Sequence, residues 1–199
     1  MTDHDAKATL HRYLRNARQA MLWKLEGLSE YDVRRPLTPT GTNLLGLVKH
    51  LSLVEAWYFG RTFDRPFPEP MPWWDDDAED DADLWVPAAE ARGEVVDRYR
   101  RVWDHADATI DDLSLDAVGQ VPWWEAPQVT LHTMLVHVLA ETNRHAGHAD
   151  VLREGLDGSA GLTRDNPNVP ERDRARWDEL RARIERAARE ASSPPGLTT

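Results

Sequence analysis

The sequence contains no cysteine. Disulfides, thiolate metal sites and a cysteine nucleophile are therefore excluded, and any thiol chemistry must use a thiol brought from outside. No apolar run approaches the roughly 18 residues that a membrane-crossing helix needs. The N-terminal stretch MTDHDAKATLHRYLRNARQ is charged and lacks an apolar core, so it does not read as a secretory signal peptide. These absences point to the cytoplasm. A basic surplus is missing too. Against 24 Lys and Arg stand 35 Asp and Glu, a formal net charge of −11, which repels nucleic acid and anionic membranes alike. Seven of the acids fall in Asp75 to Asp83 (DDDAEDDAD), with no base among them. That run reads as a solvated loop, and its spacing matches no EF-hand. Arg172, Arg174, Arg176, Arg181, Arg183 and Arg186 alternate with acids, as on a solvated helix face, and form no nucleic-acid footprint.

Internal repeats and convincing strand alternation are also lacking, whereas helical periodicity is plentiful. Leu10, Leu14, Ala17, Met21, Leu25 and Leu28 recur at three and four, predicting a helix over 7–28. Leu44, Leu47, Val48, Leu51, Val54 and Tyr58 predict a second over 43–62, capped by Thr42 or Asn43. Prolines 66, 68, 70 and 72 exclude regular helix from the long connection that follows. A third helix is expected over 87–110. The fourth is expected over 130–154, from a Thr130 cap to a Gly155 stop. A short charged helix over 171–190 carries Trp177, Leu180 and Ile184 on one face. The expected fold is all-α: a four-helix bundle over 1–157, with a long connection between helices 2 and 3. A linker and docking helix of the same domain follow over 158–191, and a disordered tail over 192–199.

Nine tryptophans are many for this length. Two pairs, Trp73-Trp74 and Trp123-Trp124, each follow a proline in loop-like sequence. Two readings stand side by side: loops fastened to the bundle by large apolar rings, or an aromatic wall around a pocket.

The chemistry concentrates in residues 131–154. His137, Glu141 and His145 are spaced by four and His148 follows by three, so they neighbour one another on a helix. They fall beside the apolar stripe of Leu131, Leu135, Val138, Ala149 and Leu152. A carboxylate and imidazoles at a core edge are costly to desolvate, and a divalent cation removes that cost. One helix cannot complete a coordination sphere. His50, flanked on its own helix by Leu47 and Val54, is the best partner. A set of hydrogen-bonded core histidines satisfies the same spacing. His11 and His105 read as ordinary surface or packing residues.

The string Glu141-Thr142-Asn143-Arg144-His145-Ala146-Gly147-His148-Ala149-Asp150 resembles the signature helix of the DinB-like superfamily. It is most similar to the actinobacterial branch of mycothiol-dependent enzymes, of the maleylpyruvate isomerase and thiol S-transferase type. Val121-Pro122-Trp123-Trp124, Val129-Thr130-Leu131-His132 and Leu47-Val48-Lys49-His50-Leu51 resemble that branch too. The resemblance spans roughly residues 7–157. It implies a metal held by His50, Glu141 and His145. Zinc is the first expectation, with nickel and manganese open, and an open position remains for a thiol cosubstrate. Many relatives carry His where this chain has Glu141. His137, His148, Trp123 and Trp124 would support the ligands or line the pocket, and no residue is assigned as catalytic. The implied activity is a metal-dependent transferase that activates a mycothiol-like thiol for attack on an electrophilic small molecule. A hydrolase using bound water stays open, as does a non-enzymatic, metal-stabilised binding or stress-response protein. Relatives of this kind commonly pair, so a homodimer is expected.

Overall fold

A computed structural model describes residues 3–74, 78–167, 169–170 and 173–192. The chain divides into two units, Met1–Pro167 and Asn168–Thr199. The first is an all-α bundle of the DinB-like kind. Its long helices are α1 (Asp3–Trp23), α3 (Leu44–Glu55), α4 (Arg92–Asp112) and α5 (Leu131–Asp157), with a one-turn helix α2 (Glu30–Arg34) between the first two. A hairpin of β1 (Val118–Gln120) and β2 (Gln128–Thr130) precedes α5, pairing Gly119 with Val129. The second unit holds α6 (Arg174–Ser192). The expected tail lies, from residue 193 on, outside the described residues. Among the described residues no helix is long and apolar enough to cross a membrane.

Local chemistry sets most of the helix ends. Asn43 caps α3 by accepting from the Gly46 N–H at 2.7 Å, and Thr130 caps α5 by accepting from Thr133 N–H at 3.2 Å. Helix α5 runs through Gly155 and stops one turn later, at Gly158. There a φ of 80° lets the Gly158 N–H reach the Glu154 carbonyl at 3.0 Å. Helix α4 begins at Arg92 rather than near Pro87: the Leu84 and Trp85 carbonyls are held by Asn43, the cap of α3, and Lys49 of α3, and those of Pro87 and Glu90 by Arg34 of α2. The expected helix over 43–62 is not continuous. After Glu55 it widens into a π turn, Ala56–Gly60, and then tightens into a 3₁₀ turn, Arg61–Phe63. Single π turns of this kind re-aim side chains inside a helix, and this one turns out Trp57 and Tyr58. The hairpin escapes sequence reading because three-residue strands are too short to show alternation.

Helix α1 packs on α5, and α3 packs on both α4 and α5. The core falls into two apolar clusters. One contains Met21, Leu25, Leu44, Val48, Leu51, Val95 and Ala149. The other contains Leu14, Phe59, Ala106, Ile110, Met134 and Val138. Between them lies a buried charged layer. Arg18 of α1 sits over Glu55 of α3, its Nε donating to Glu55 Oε2 at 2.9 Å and its Nη2 to the same oxygen at 2.6 Å. Tyr99 donates its hydroxyl to Glu55 Oε1 at 3.1 Å. Arg18 Nη1 also reaches Asp107 of α4 at 2.6 Å, and His11 Nε2 lies 2.7 Å from the same carboxylate oxygen. Arg18 and Glu55 are 1% and 0% exposed, so this layer meets the rule that buried charges must be paired. His11, expected to be an ordinary packing residue, is one of its members.

Burial raises the Asp107 carboxyl, but His11 and the Arg18 guanidinium outweigh it and hold the group well below the usual carboxylate range. A depressed native pKa contributes stability that is complete above the unfolded value near 4, and that drains as the pH falls through it. Acid unfolding followed by circular dichroism from pH 6 to 2 should therefore show a shallower loss of stability in Asp107→Asn below about pH 4 than in wild type. Equal slopes would remove Asp107 from the acid response.

Candidate metal centre and aromatic wall

Helices α3 and α5 bring three expected ligands together. One donor atom each from His50, Glu141 and His145 lies within 4.8 Å of the others. Among the described residues this is the one such cluster of at least three groups. The spacing of four on α5 puts Glu141 Oε1 2.9 Å from His145 Nε2, as an i,i+4 pair requires. His50 stands across from them, its ring 5.0 Å from that of His145. All three side chains are partly sheltered, at 21%, 26% and 14% exposure for His50, Glu141 and His145.

The electrostatics favour a cation. Burial, then the neighbouring His50, hold His145 below the ordinary histidine range, against the opposite pull of Glu141. Its imidazole is thus neutral near pH 7, the form that binds metal. Its Nδ1 is buried without a hydrogen-bond partner among the described residues. Two imidazole nitrogens and one carboxylate oxygen converging from two helices form a donor set that suits a divalent ion of the zinc type. These residues fit the metal that the sequence resemblance implies.

His148 does not join the three. It is exposed, and its ring touches that of His145 at 5.4 Å. His137 is half-buried one turn before Glu141, and burial lowers its pKa against the pull of that carboxylate. Its ring meets Tyr58 at 4.7 Å and Trp124 at 4.9 Å, both edge-on. Trp123 lies 4.8 Å from Trp57, which lies 4.8 Å from Trp74. The result is a continuous aromatic wall from His137 to Trp74. Arg61 covers Trp57 with its guanidinium carbon 4.8 Å from the ring. Beside the wall lies a cavity of about 140 Å³ that Trp57, Trp74, Phe67, Leu53 and Met71 help to line.

The members of the two tryptophan pairs differ in their surroundings. Trp73 is a fastening: Lys49 and Arg98 lie over its ring at 4.7 and 4.6 Å. Trp74, Trp123 and Trp124 belong to the wall. Trp57 was not singled out from sequence, Tyr58 was read only as part of its helix's apolar stripe, and Asp83 only as part of the acidic run. Trp57 and Tyr58 both lie in the π turn and join the wall. Asp83 closes the acidic run and places Oδ2 2.6 Å from His50 Nδ1. Its only sequence signal is its place as the last acid before apolar Leu84 and Trp85. Asp75 to Asp77, at the start of that run, lie outside the described residues.

A family model described as mycothiol-S-transferase matches residues 9–158. The solved structure of a conserved protein from Enterococcus faecalis is 16% identical. It aligns with a TM-score of 0.56 over 76% of this chain and 97% of that one, a likeness of fold alone. No curated protein matches the chain in sequence.

Proposed function

Because this chain belongs to the mycothiol-S-transferase family, we propose that it transfers a mycothiol-like thiol to an electrophilic small molecule, using a divalent metal held by His50, Glu141 and His145. The observation that carries this reading is the convergence of those three donors within 4.8 Å, beside an aromatic wall and in a chain with no cysteine of its own. Zinc suits the donor set best, and nickel and manganese fit it as well.

Three protein ligands leave a position open, and a divalent metal there supplies the Lewis acidity that makes a thiolate available near neutral pH. The chain does the rest. Glu141 brings a negative charge that offsets part of the cation's charge. His145, kept neutral by burial and by His50, presents a lone pair rather than a competing proton. His137, also kept neutral by burial, stands one turn before Glu141 and lines the wall with Tyr58 and Trp124. Trp124, Tyr58 and Trp123 offer apolar faces to the electrophile and limit the access of water that would compete with the thiol.

Metal-loaded protein should consume thiol in the presence of an electrophile panel such as epoxides, alkyl halides and activated alkenes, with mycothiol turned over faster than water. Free thiol is followed with a disulfide chromogen and products by mass spectrometry. Turnover that is unchanged when thiol is omitted would make the protein a hydrolase instead. No turnover with any pair would leave the site to binding rather than catalysis.

A further inference from the structure

The connection after α3 runs back along that helix and is fastened to it at successive residues. Asp81 takes a left-handed backbone, with φ of 62°, and the Leu84 N–H closes the turn on the Asp81 carbonyl at 2.8 Å. Short polar Asp is among the few non-glycine residues that tolerate this conformation. The Leu84 carbonyl then accepts from Asn43 Nδ2 at 3.1 Å. The Trp85 carbonyl accepts from Lys49 Nζ at 3.0 Å. Gly46 makes the approach possible, since a Cβ there would lie 1.9 Å from the Leu84 oxygen. Asn43, Gly46, Lys49 and His50 recur at three, three and one along α3, so one side of the helix receives the whole strap. Val86 completes the attachment by entering the core. Nothing in this fastening requires an acid at position 83. Yet the carboxylate there lies 2.6 Å from His50 Nδ1, with both side chains about four-fifths buried.

We infer that Asp83 is a positioning residue that holds His50 as the Nδ1–H tautomer, leaving Nε2 free to bind the metal. This rests on the proposed metal site for its purpose, but not for its geometry. A carboxylate oxygen can only accept, so a neutral His50 must carry its proton on Nδ1. The other ring nitrogen then holds the lone pair, and His50 offers one ring nitrogen to the cluster with Glu141 and His145. A ring held at one nitrogen also loses less freedom when the other binds, and the carboxylate makes the imidazole a stronger donor. The strap is thus a support for one ligand, and the last acid of the run is the one that faces His50.

Nitrogen NMR of histidine-labelled, metal-free protein at pH 8 reads the tautomer directly. His50→Ala identifies the resonances. Wild type should show His50 protonated at Nδ1, and Asp83→Ala should move it toward the Nε2–H form that free histidine prefers. Zinc affinity, measured by competition with a chromophoric chelator, should fall about 10- to 100-fold in Asp83→Ala. Asp83→Asn, which keeps an acceptor oxygen without the charge, should fall in between. An Nε2–H tautomer in wild type, or zinc affinity unchanged within threefold in both variants, overturns the inference. A wild type that takes up no zinc defeats the metal reading instead. The tautomer still decides the role of Asp83 in that case, because it is read without metal.

Discussion

Glu55→Ala should lower the stability of the bundle by about 3–5 kcal/mol, because it leaves the Arg18 guanidinium buried without its principal counter-charge. For a chain of this size that is a fall in Tm of roughly 6–20 °C. The cause lies in the layer between the two apolar clusters. Arg18 makes three hydrogen bonds to Glu55, and Tyr99 makes a fourth. Burial pushes the Glu55 carboxyl up against the pull of Arg18's charge, so the pair is held by mutual satisfaction and not by solvent. The paired replacement Arg18→Met with Glu55→Leu should therefore cost less than Glu55→Ala alone. It removes both charges and fills the space, and Asp107 keeps His11 and Arg15. Thermal melts of the two variants check this. A double variant less stable than the single one would show that the layer stabilises the fold through more than charge pairing.

His145→Ala should reduce thiol transfer on the order of a thousandfold or more. Losing a ligand forfeits the several kcal/mol that a Lewis acid contributes to a transition state, and each 1.4 kcal/mol is about tenfold. The fold should survive. His145 lies at the edge of the core, it is hydrogen-bonded to Glu141, and neighbouring Ala146 and Ala149 carry the packing. Metal-free wild type and variant should accordingly melt within a few degrees of each other. kcat/KM for thiol consumption is the readout. Activity retained within tenfold, with the protein folded, would remove His145 from the chemistry.

These features were legible in the sequence to very different degrees. The four long helices follow from stripes that each lie on one helix, and so do the capping residues Asn43 and Thr130. Glu141 and His145 are legible for the same reason: a spacing of four fixes their relation before any tertiary structure exists. His50 could be named only as the best candidate partner, from its place between Leu47 and Val54, because nothing within α3 says which helix it will face. The buried layer left a trace that is visible in hindsight. Arg18 follows Leu14 by four and precedes Met21 by three. Glu55 stands four from both Leu51 and Phe59. A charge inside an apolar stripe of two helices asks for a partner, but sequence does not say which. The π turn left no trace. AWYFG continues a helical pattern well enough, and the wider turn is seen only in the fold, where it packs against α4 and α5. Asp83 was the least legible. It belongs to a run that reads as solvated, and only the strap's attachment to α3 separates it from its neighbours.

His50, Glu141 and His145 are proposed to form one metal site that serves thiol chemistry. The most direct test is the metal content of protein expressed without an affinity tag, dialysed against zinc and measured by plasma mass spectrometry alongside His50→Ala. The predicted result is one equivalent of zinc per chain in wild type and its near-complete loss in His50→Ala, with the helical signal of the variant preserved. Equal zinc in both proteins, or none in wild type, would contradict the claim.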